Sequence, residues 1–500
     1  MTERFRHLET ADRPETLRRV AIDPVTRVEG HGKVTLLLDE NNRIRQARLH
    51  IVEFRGFEKF IQGRPYFEVP VLVQRLCGIC PVSHLLAAAK AVDRLVGAER
   101  IPPSAEKLRR LLHYGQVLQS HALHFFHLAS PDLLFGFDSP TAKRNILELL
   151  REERFRDLAL KGIRLRKFGQ EVICAVIGKR IHGTGPIPGG MNKHLTPEDR
   201  SRLEAELPSV LTWAEEGLAL VKQIYLAEPE FHLRFARITS PFLALIRPDG
   251  GHELYDGRLR VRGEEGDLLV DQVPDGDYLT LIHEQVKSWS YMKFPYLAAL
   301  GPDAGWYRVG PLARLNACDF FDTPRAEAAR QEFIQLDSGR PVQASLAYHW
   351  ARMIEIVHCA EKIQQLLADP DLYGGELQAQ GDRCLEGIGV IEAPRGTLIH
   401  HYRIDEEGLV RRANLIVSTT HNNTAMNEAI RQVAAEYLDG RELTEELLSR
   451  IEIAIRAYDP CLSCATHALG QMPLQVELQD AEGNVLQRLV RHSDGTIEAR

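Results

Sequence analysis

Five hundred residues, 44% of them hydrophobic, are enough to bury a sizeable core. The formal charge of −7, from 62 basic and 69 acidic residues well interspersed, argues against a nucleic-acid or membrane-binding surface. No apolar run approaches the ~18 residues that span a bilayer, so a soluble chain is expected.

The opening MTERFRHLETADRPETLRR is charged and lacks an apolar stretch, so no signal peptide is expected. Up to about Val52 the pattern alternates in the β manner. GKVTLLLDE and RIRQARLHIV flank an Asp-Glu-Asn-Asn turn, which predicts a hairpin. From Pro81 the period changes: PVSHLLAAAKAVDRLV predicts a helix with proline in its first turn, and Ser104 to Ala129 a long amphipathic helix. Further helices are expected over about Thr196–Ala227, Ala344–Ala368, Asn427–Leu438 and Thr444–Tyr458. Between them lie Gly/Pro-rich loops such as HGTGPIPGGMNK and a short-strand region, HELYDGRLRVRGEEGDLLVD. The fold class expected is mainly α with peripheral β (α+β): a central long-helix bundle with N-terminal and peripheral β-hairpins. No repeat or low-complexity linker divides it.

Two cysteine pairs of equal spacing carry the chemistry: Cys77-Gly-Ile-Cys80 and Cys461-Leu-Ser-Cys464. Each is a bidentate thiolate clamp, and two clamps suit zinc, nickel, copper(I) or iron–sulfur chemistry. A zinc ribbon closes within about 15–20 residues, whereas about 380 separate these pairs. Such a site lies at the centre of a large fold. A closed four-cysteine zinc site is the alternative reading of the spacing alone. Cys77 and Cys80 immediately precede a helix start, where free N–H groups and the helix dipole favour thiolate. His84, one turn on, is placed to hydrogen-bond a ligand sulfur. Eight cysteines with four in such pairs fit a reducing, cytoplasmic compartment.

RVEGH at Arg27–His31, RLCGICPVSH at Arg75–His84, APRG at Ala393–Gly396 and DPCLSCATH at Asp459–His467 occur in this order. Together they resemble the large subunit of nickel–iron hydrogenases, from about Val20 through His467. The stretches SHALHFFHLASPD, GKRIHGT, IPGGMNK and TTHNN are most similar to the soluble pyridine-nucleotide-linked branch. The resemblance implies a hydrogenase-like fold in a single domain over residues 1–467. It implies that Cys77 and Cys461 bind nickel terminally, and that Cys80 and Cys464 bridge nickel to an iron carrying cyanide and carbonyl ligands. Arg395 would stand as a cation beside those ligands, and Ser418 or Thr419 would add a hydroxyl donor. Read alone, Arg395 is a buried ion pair and the hydroxyls end a strand.

Heterolytic cleavage of dihydrogen releases a proton that needs a base. The Cys461 thiolate and Arg395 are the candidates, and the permanent charge of arginine suits it less. Glu29 matches the family carboxylate that relays the proton onward, provided burial raises its pKa; its alternative is a buried salt bridge. Asp132 and Asp459 correspond to acidic residues arranged around the bimetallic centre, or else cap and terminate helices. His121, His124 and His127, at i, i+3 and i+6, line one side of a helix as scaffold rather than as a separate metal site. Glu58 and His467 match ligands of a magnesium-type ion; alone, Glu58 reads as a solvated charge.

Cys174, Cys318, Cys359 and Cys384 are isolated and form no iron–sulfur ligand run. No dinucleotide fingerprint or phosphate loop is present. Electrons therefore need partners, which the resemblance gives as an iron–sulfur small subunit, then diaphorase subunits carrying FMN and handling NAD. It also implies nickel-insertion factors and a maturation peptidase that cuts between His467 and Ala468. That cut would release Ala468–Arg500, a tail that reads as a hairpin around Ala481–Gly483. Two other readings remain: a metal-free scaffold subunit of a quinone-reductase-like complex with the same fold, and a dihydrogen sensor with the same metal centre. The four cysteines, Glu29, Arg395 and His467 oppose the first, and the tail opposes the second. A deazaflavin-reducing branch differs only in its partner subunits.

Overall fold

The computed structural model describes residues 11–466 and the backbone of three later strands, Leu474–Gln479, Val485–Arg491 and Ile497–Ala499. The predicted N-terminal hairpin forms and gains a third strand. β1 (Arg18–Ile22), β2 (Gly32–Leu38) and β3 (Ile44–Ile51) make an antiparallel sheet in that order. β2, the middle strand, is buried along nearly its whole length on both faces.

The centre is helical. α1 (Pro81–Leu95) is buried almost all round, as a core helix must be, which its alanine-rich sequence permits. α2 (Pro103–Leu123) lies along α3 (Glu153–Ile177), and α4 (Pro197–Ala227) packs on α3. α2 and α3 cross where a side chain on Gly169 would stand 2.6 Å from the Gly115 carbonyl, so only glycine fits there. Thr196 caps α4 by accepting the Asp199 N–H at 3.1 Å.

A second sheet region follows the short-strand sequence: β4 (Phe242–Ile246), β5 (Arg258–Arg262) and β6 (Leu268–Pro274), antiparallel. α5 (Pro311–Ala317) sits against β4, and α6 (Ala347–Leu367) runs beside α2 and α4. A third sheet of β7 (Glu386–Ala393), β8 (Gly396–Ile404) and β9 (Val410–Ile416) packs on α1. α7 (Asn423–Val433) and α8 (Glu445–Ala457) lead to the second cysteine pair. The mainly helical class with peripheral sheets agrees with the reading of the sequence.

The helix expected through Ala129 is not continuous. After Leu123 the backbone widens into a π-type segment, His124–Ala129, before a new short helix begins at Ser130–Pro131. Proline at residue 131 has no N–H to continue the regular ladder, and the widened turn absorbs the mismatch. His121 and His124 both meet α6, His121 through Glu355 and His124 by stacking on His349 with ring centroids 5.5 Å apart, while His124 Nε2 reaches the Arg456 carbonyl. Among the described residues no helix is long and apolar enough to cross a membrane. In the tail, Leu474–Gln479 and Val485–Arg491 pair antiparallel, as the hairpin reading expected.

Candidate metal centre

The two cysteine pairs meet. Cys77 follows a tight turn at Gln74–Leu76, and Cys80 occupies the residue before α1, where Pro81 needs no hydrogen bond. Cys461 precedes a four-residue helix, Leu462–Ala465, that carries Cys464 and follows Asp459-Pro460-Cys461. The Sγ atoms of Cys77 and Cys461 are 3.5 Å apart, those of Cys80 and Cys464 3.7 Å, and those of Cys461 and Cys464 2.8 Å. All four sulfurs lie within 4.8 Å of one another and are buried, the only such donor cluster among the described residues.

Burial and mutual contact dominate their electrostatics. Hydrogen bonds from Cys461, Cys464 and Cys80, with the charge of Arg395, pull Cys77 well below the ordinary thiol pKa. Burial pushes Cys461 and Cys464 well above it. Such a quartet gives up all its protons only when cations offset the charge, which is the chemistry of a thiolate metal site. The backbone N–H groups of Ile79 and Cys80 both point at Cys77 Sγ, each at 3.2 Å.

The wall of the site comes from the third sheet. Arg395 sits in the tight turn between β7 and β8, where Ala393 pairs with Gly396. Its Nη2 donates to Asp459 Oδ1 at 3.0 Å and its Nε to the Asp459 carbonyl. Arg395 Nη1 and Asp459 Oδ2 are buried without a hydrogen-bond partner among the described residues. Arg395 lines a small cavity, so its orphan Nη1 suits a polar group lodged there. Burial alone would lower the Arg395 pKa, but Asp459 and the cysteine sulfurs outweigh it and hold the guanidinium charged. Burial raises Asp459 despite Arg395.

The cavity bounded by Cys80, Cys464, His84, Arg395, Ser418 and Thr419 is about 10 Å³. That volume is about the space one water molecule needs. Thr419 Oγ1 accepts the Cys461 N–H at 2.9 Å, and Ser418 Oγ donates to the Gly396 carbonyl at 2.7 Å. His84 Nδ1 is 3.1 Å from His400 Nε2.

Glu29 reaches the site from the loop between β1 and β2. It pairs in parallel with Cys461, and Leu462 N–H donates to its carbonyl at 2.9 Å. Its Oε2 is 3.0 Å from Cys461 Sγ and accepts the Ser463 N–H at 3.1 Å. Burial, then the charge of Cys77, raise its pKa above the usual carboxylate range. This contact has the geometry of a proton transfer.

Other expected residues lie further out. Asp132 does not border the cavity: Arg27, Arg144 (3.2 Å) and Arg456 (2.6 Å) surround its carboxylate. Burial would raise Asp132, but the three arginines hold it below the usual range. The triad joins the loop carrying Glu29 to the helix that precedes Cys461. Glu58 Oε1 accepts the Leu415 N–H at 2.8 Å. The N–H groups of Arg55 and Gly56 both donate to the Thr466 carbonyl, so the chain reaches the Glu58 helix one residue before His467. His467 and the His467–Ala468 bond lie outside the described residues. Sequence reasoning missed Glu53, whose Oε2 accepts from Ser463 Oγ at 2.9 Å, and Arg314 and Glu355 behind the APRG turn. A lone acid or a helical arginine carries no spacing signal that would have found them.

Comparison with known proteins agrees with this geometry. The family model described as nickel-dependent hydrogenase matches residues 55–136 and 267–467, and a HoxL-like model matches residues 19–54. The NAD-reducing hydrogenase HoxS subunit beta of Cupriavidus necator is 47% identical over 489 residues, 95% of this chain and 100% of that protein. A subunit of the F420-non-reducing hydrogenase of Methanothermobacter marburgensis is 41% identical, covering 94% of this chain and 100% of that one. The crystal structure of an NAD+-reducing NiFe-hydrogenase in the H2-reduced state superposes with a TM-score of 0.88 at 56% identity. That match covers 90% of this chain and 100% of the other. The Ni-Fe-Se hydrogenase of D. vulgaris Hildenborough, at 24% identity and a TM-score of 0.72, shows the fold alone. With its four-thiol centre and this kinship along nearly its whole length, the chain belongs to the nickel-dependent hydrogenases, as a large, catalytic subunit.

Proposed function

We propose that this chain cleaves dihydrogen reversibly and passes the electrons to NAD in the cytoplasm, first through a partner iron–sulfur subunit, then through diaphorase subunits. The observation that carries the reading is the convergence of four thiols from both ends of the fold on one buried point, with a carboxyl 3.0 Å from one of them. Cys77, Cys80, Cys461 and Cys464 would together hold nickel and an iron carrying cyanide and carbonyl ligands. Soft thiolates hold a redox-active nickel that oxygen ligands would hold poorly. When bound, the bimetallic centre supplies the polarisation that splits dihydrogen and takes up its electrons.

The protein's residues do the rest. Arg395 presents its orphan Nη1 as a fixed cation at the cavity, aligned by Asp459. Preorganised donors of this kind stabilise charge in a dry site without reorganisation. Thr419 and Ser418 line the same wall, Thr419 fixing the Cys461 backbone. His84 lines the same cavity as Cys80 and Cys464 and would stand beside the sulfurs that hold the metals. Cys461 Sγ receives the proton and Glu29 Oε2 takes it, the Ser463 N–H holding that oxygen in line. A raised pKa suits a carboxyl that both accepts and releases protons near neutrality. Asp132 and its arginines brace the Glu29 loop against the Cys461 segment.

Glu58, with His467, holds a magnesium-type ion beside the mature C-terminus, and residues 1–467 form the working domain. Residues 468–500 are released by a peptidase once nickel is inserted. Kinship with subunits of named NAD-reducing enzymes supports the choice of NAD. The assembled complex, purified anaerobically, is expected to reduce NAD and an artificial dye with dihydrogen, and Cys461→Ser is expected to abolish both. Dye reduction without NAD reduction would refute the acceptor; neither reaction in a nickel-loaded complex would refute the function.

A further inference from the structure

We infer that Arg314 is a positioning residue for this site, setting where the Arg395 guanidinium stands by gripping both peptide carbonyls that precede it. The inference rests on the reading of Arg395 as a cation facing the metal centre.

Arg314 lies on α5, buried, and all five of its N–H donors are used. Nε and Nη2 donate to the two oxygens of Glu355, each at 2.6 Å. Nη1 donates to Glu392 Oε2 and to the Ala393 carbonyl, each at 2.9 Å, and Nη2 to the Pro394 carbonyl at 3.1 Å. Ala393 and Pro394 are consecutive, and the next residue is Arg395. One rigid planar group holding two successive carbonyls fixes both the height and the tilt of the turn, which a point contact could not.

The grip is itself anchored. Glu355 also accepts from His121 at 2.8 Å and His252 at 3.2 Å. Glu392 Oε1 accepts from Leu245 N–H at 2.9 Å and from Thr397 Oγ1 at 2.6 Å. Beyond the turn, Arg395 spends Nε and Nη2 on Asp459 and leaves only Nη1 for the cavity. Any shift of the turn therefore passes straight to that atom. A strand turn closed by the Ala393–Gly396 pair needs no guanidinium to form, and Glu355 alone would neutralise Arg314. The carbonyl contacts are what a purely structural ion pair does not explain.

The test uses the assembled complex with Arg314→Lys, which keeps the charge but cannot hold two carbonyls. Nickel per chain should equal that of the parent. The infrared bands of metal-bound diatomic ligands should shift in the same sense as in Arg395→Lys. Dihydrogen–deuterium exchange should fall by about 100-fold, as for a misplaced group near the chemistry. The double variant should be no slower than Arg395→Lys alone, because both act through one guanidinium. Glu392→Gln, of unchanged shape, should move the same bands in the same direction and decides the matter if Arg314→Lys does not accumulate. Parent bands in both variants, or losses that multiply in the double variant, would overturn the inference. A parent complex without nickel or without such bands would defeat the proposed function, and this inference with it.

Discussion

Gly30→Ala tests whether the Glu29 loop and the Cys461 loop are as tightly joined as the site requires. Gly30 has φ of +83°, and a Cβ there would stand 2.8 Å from Ser463 N and 2.9 Å from Leu462 Cβ. Alanine in this left-handed region costs about 1–2 kcal/mol. Overpacking against backbone adds about 1–3 kcal/mol. Gly63→Ala is the matched control: its φ is +78° with no atom within 4 Å, so it bears only the first cost. The difference, about 1–3 kcal/mol, falls on the contact between the loops and raises the population of separated loops about 5- to 150-fold. Alkylation of Cys461 and Cys464 in chains made without nickel, followed by mass spectrometry of their peptide, reports that population. Gly30→Ala should label faster than Gly63→Ala by this factor. Labelling within twofold would refute the close approach of the two loops.

Glu29→Gln should leave nickel content unchanged and lower dihydrogen oxidation by about 10²–10⁴-fold in a dye-reduction assay, the range for a lost acid–base group. Thr419→Val strands the buried Cys461 N–H, which costs about 1–3 kcal/mol; slower nickel loading is expected in time-course elemental analysis, restored by Thr419→Ser. Asp132→Asn should destabilise the chain by about 3–5 kcal/mol, because the buried Arg144 and Arg456 and the half-buried Arg27 lose a shared counter-charge. The wild-type carboxyl, held below its usual pKa, contributes stability that is present above the unfolded value of about 3.9 and lost as pH falls through the folded value. Denaturation midpoints of wild type and Asp132→Asn should therefore converge below about pH 4. In nickel-starved cells the slower-migrating precursor should accumulate on gels, and full activity of the uncut chain with dihydrogen would contradict a gating role for residues 468–500.

The sequence disclosed some of this architecture readily. α4 and α8 were legible from regular apolar spacing that starts at Thr196 and Thr444, each of which caps its helix in the structure. α3 escaped notice: ERFRDLALKGIRLRK dilutes its apolar stripe with charge, and Gly162 and Gly169 look like breakers until Phe126 and α2, respectively, are seen pressed against them. The β7–β8 hairpin was equally hidden, since strands buried on both faces lose the alternation that marks a half-exposed sheet. The four cysteines, Glu29 and Arg395 stood out through their motifs, and the fold brings them together. Asp132 was legible as a residue but not in its surroundings, because its three arginines come from distant segments. Arg314 could not have been found, since its partners meet only through tertiary packing.

The most direct test of the four-thiol centre is anomalous X-ray diffraction from crystals of the assembled complex, recorded at the nickel, iron and zinc edges. A nickel peak bonded to Cys77 and Cys461, with an iron peak across Cys80 and Cys464, is the predicted result. A single zinc peak held by all four sulfurs would contradict it.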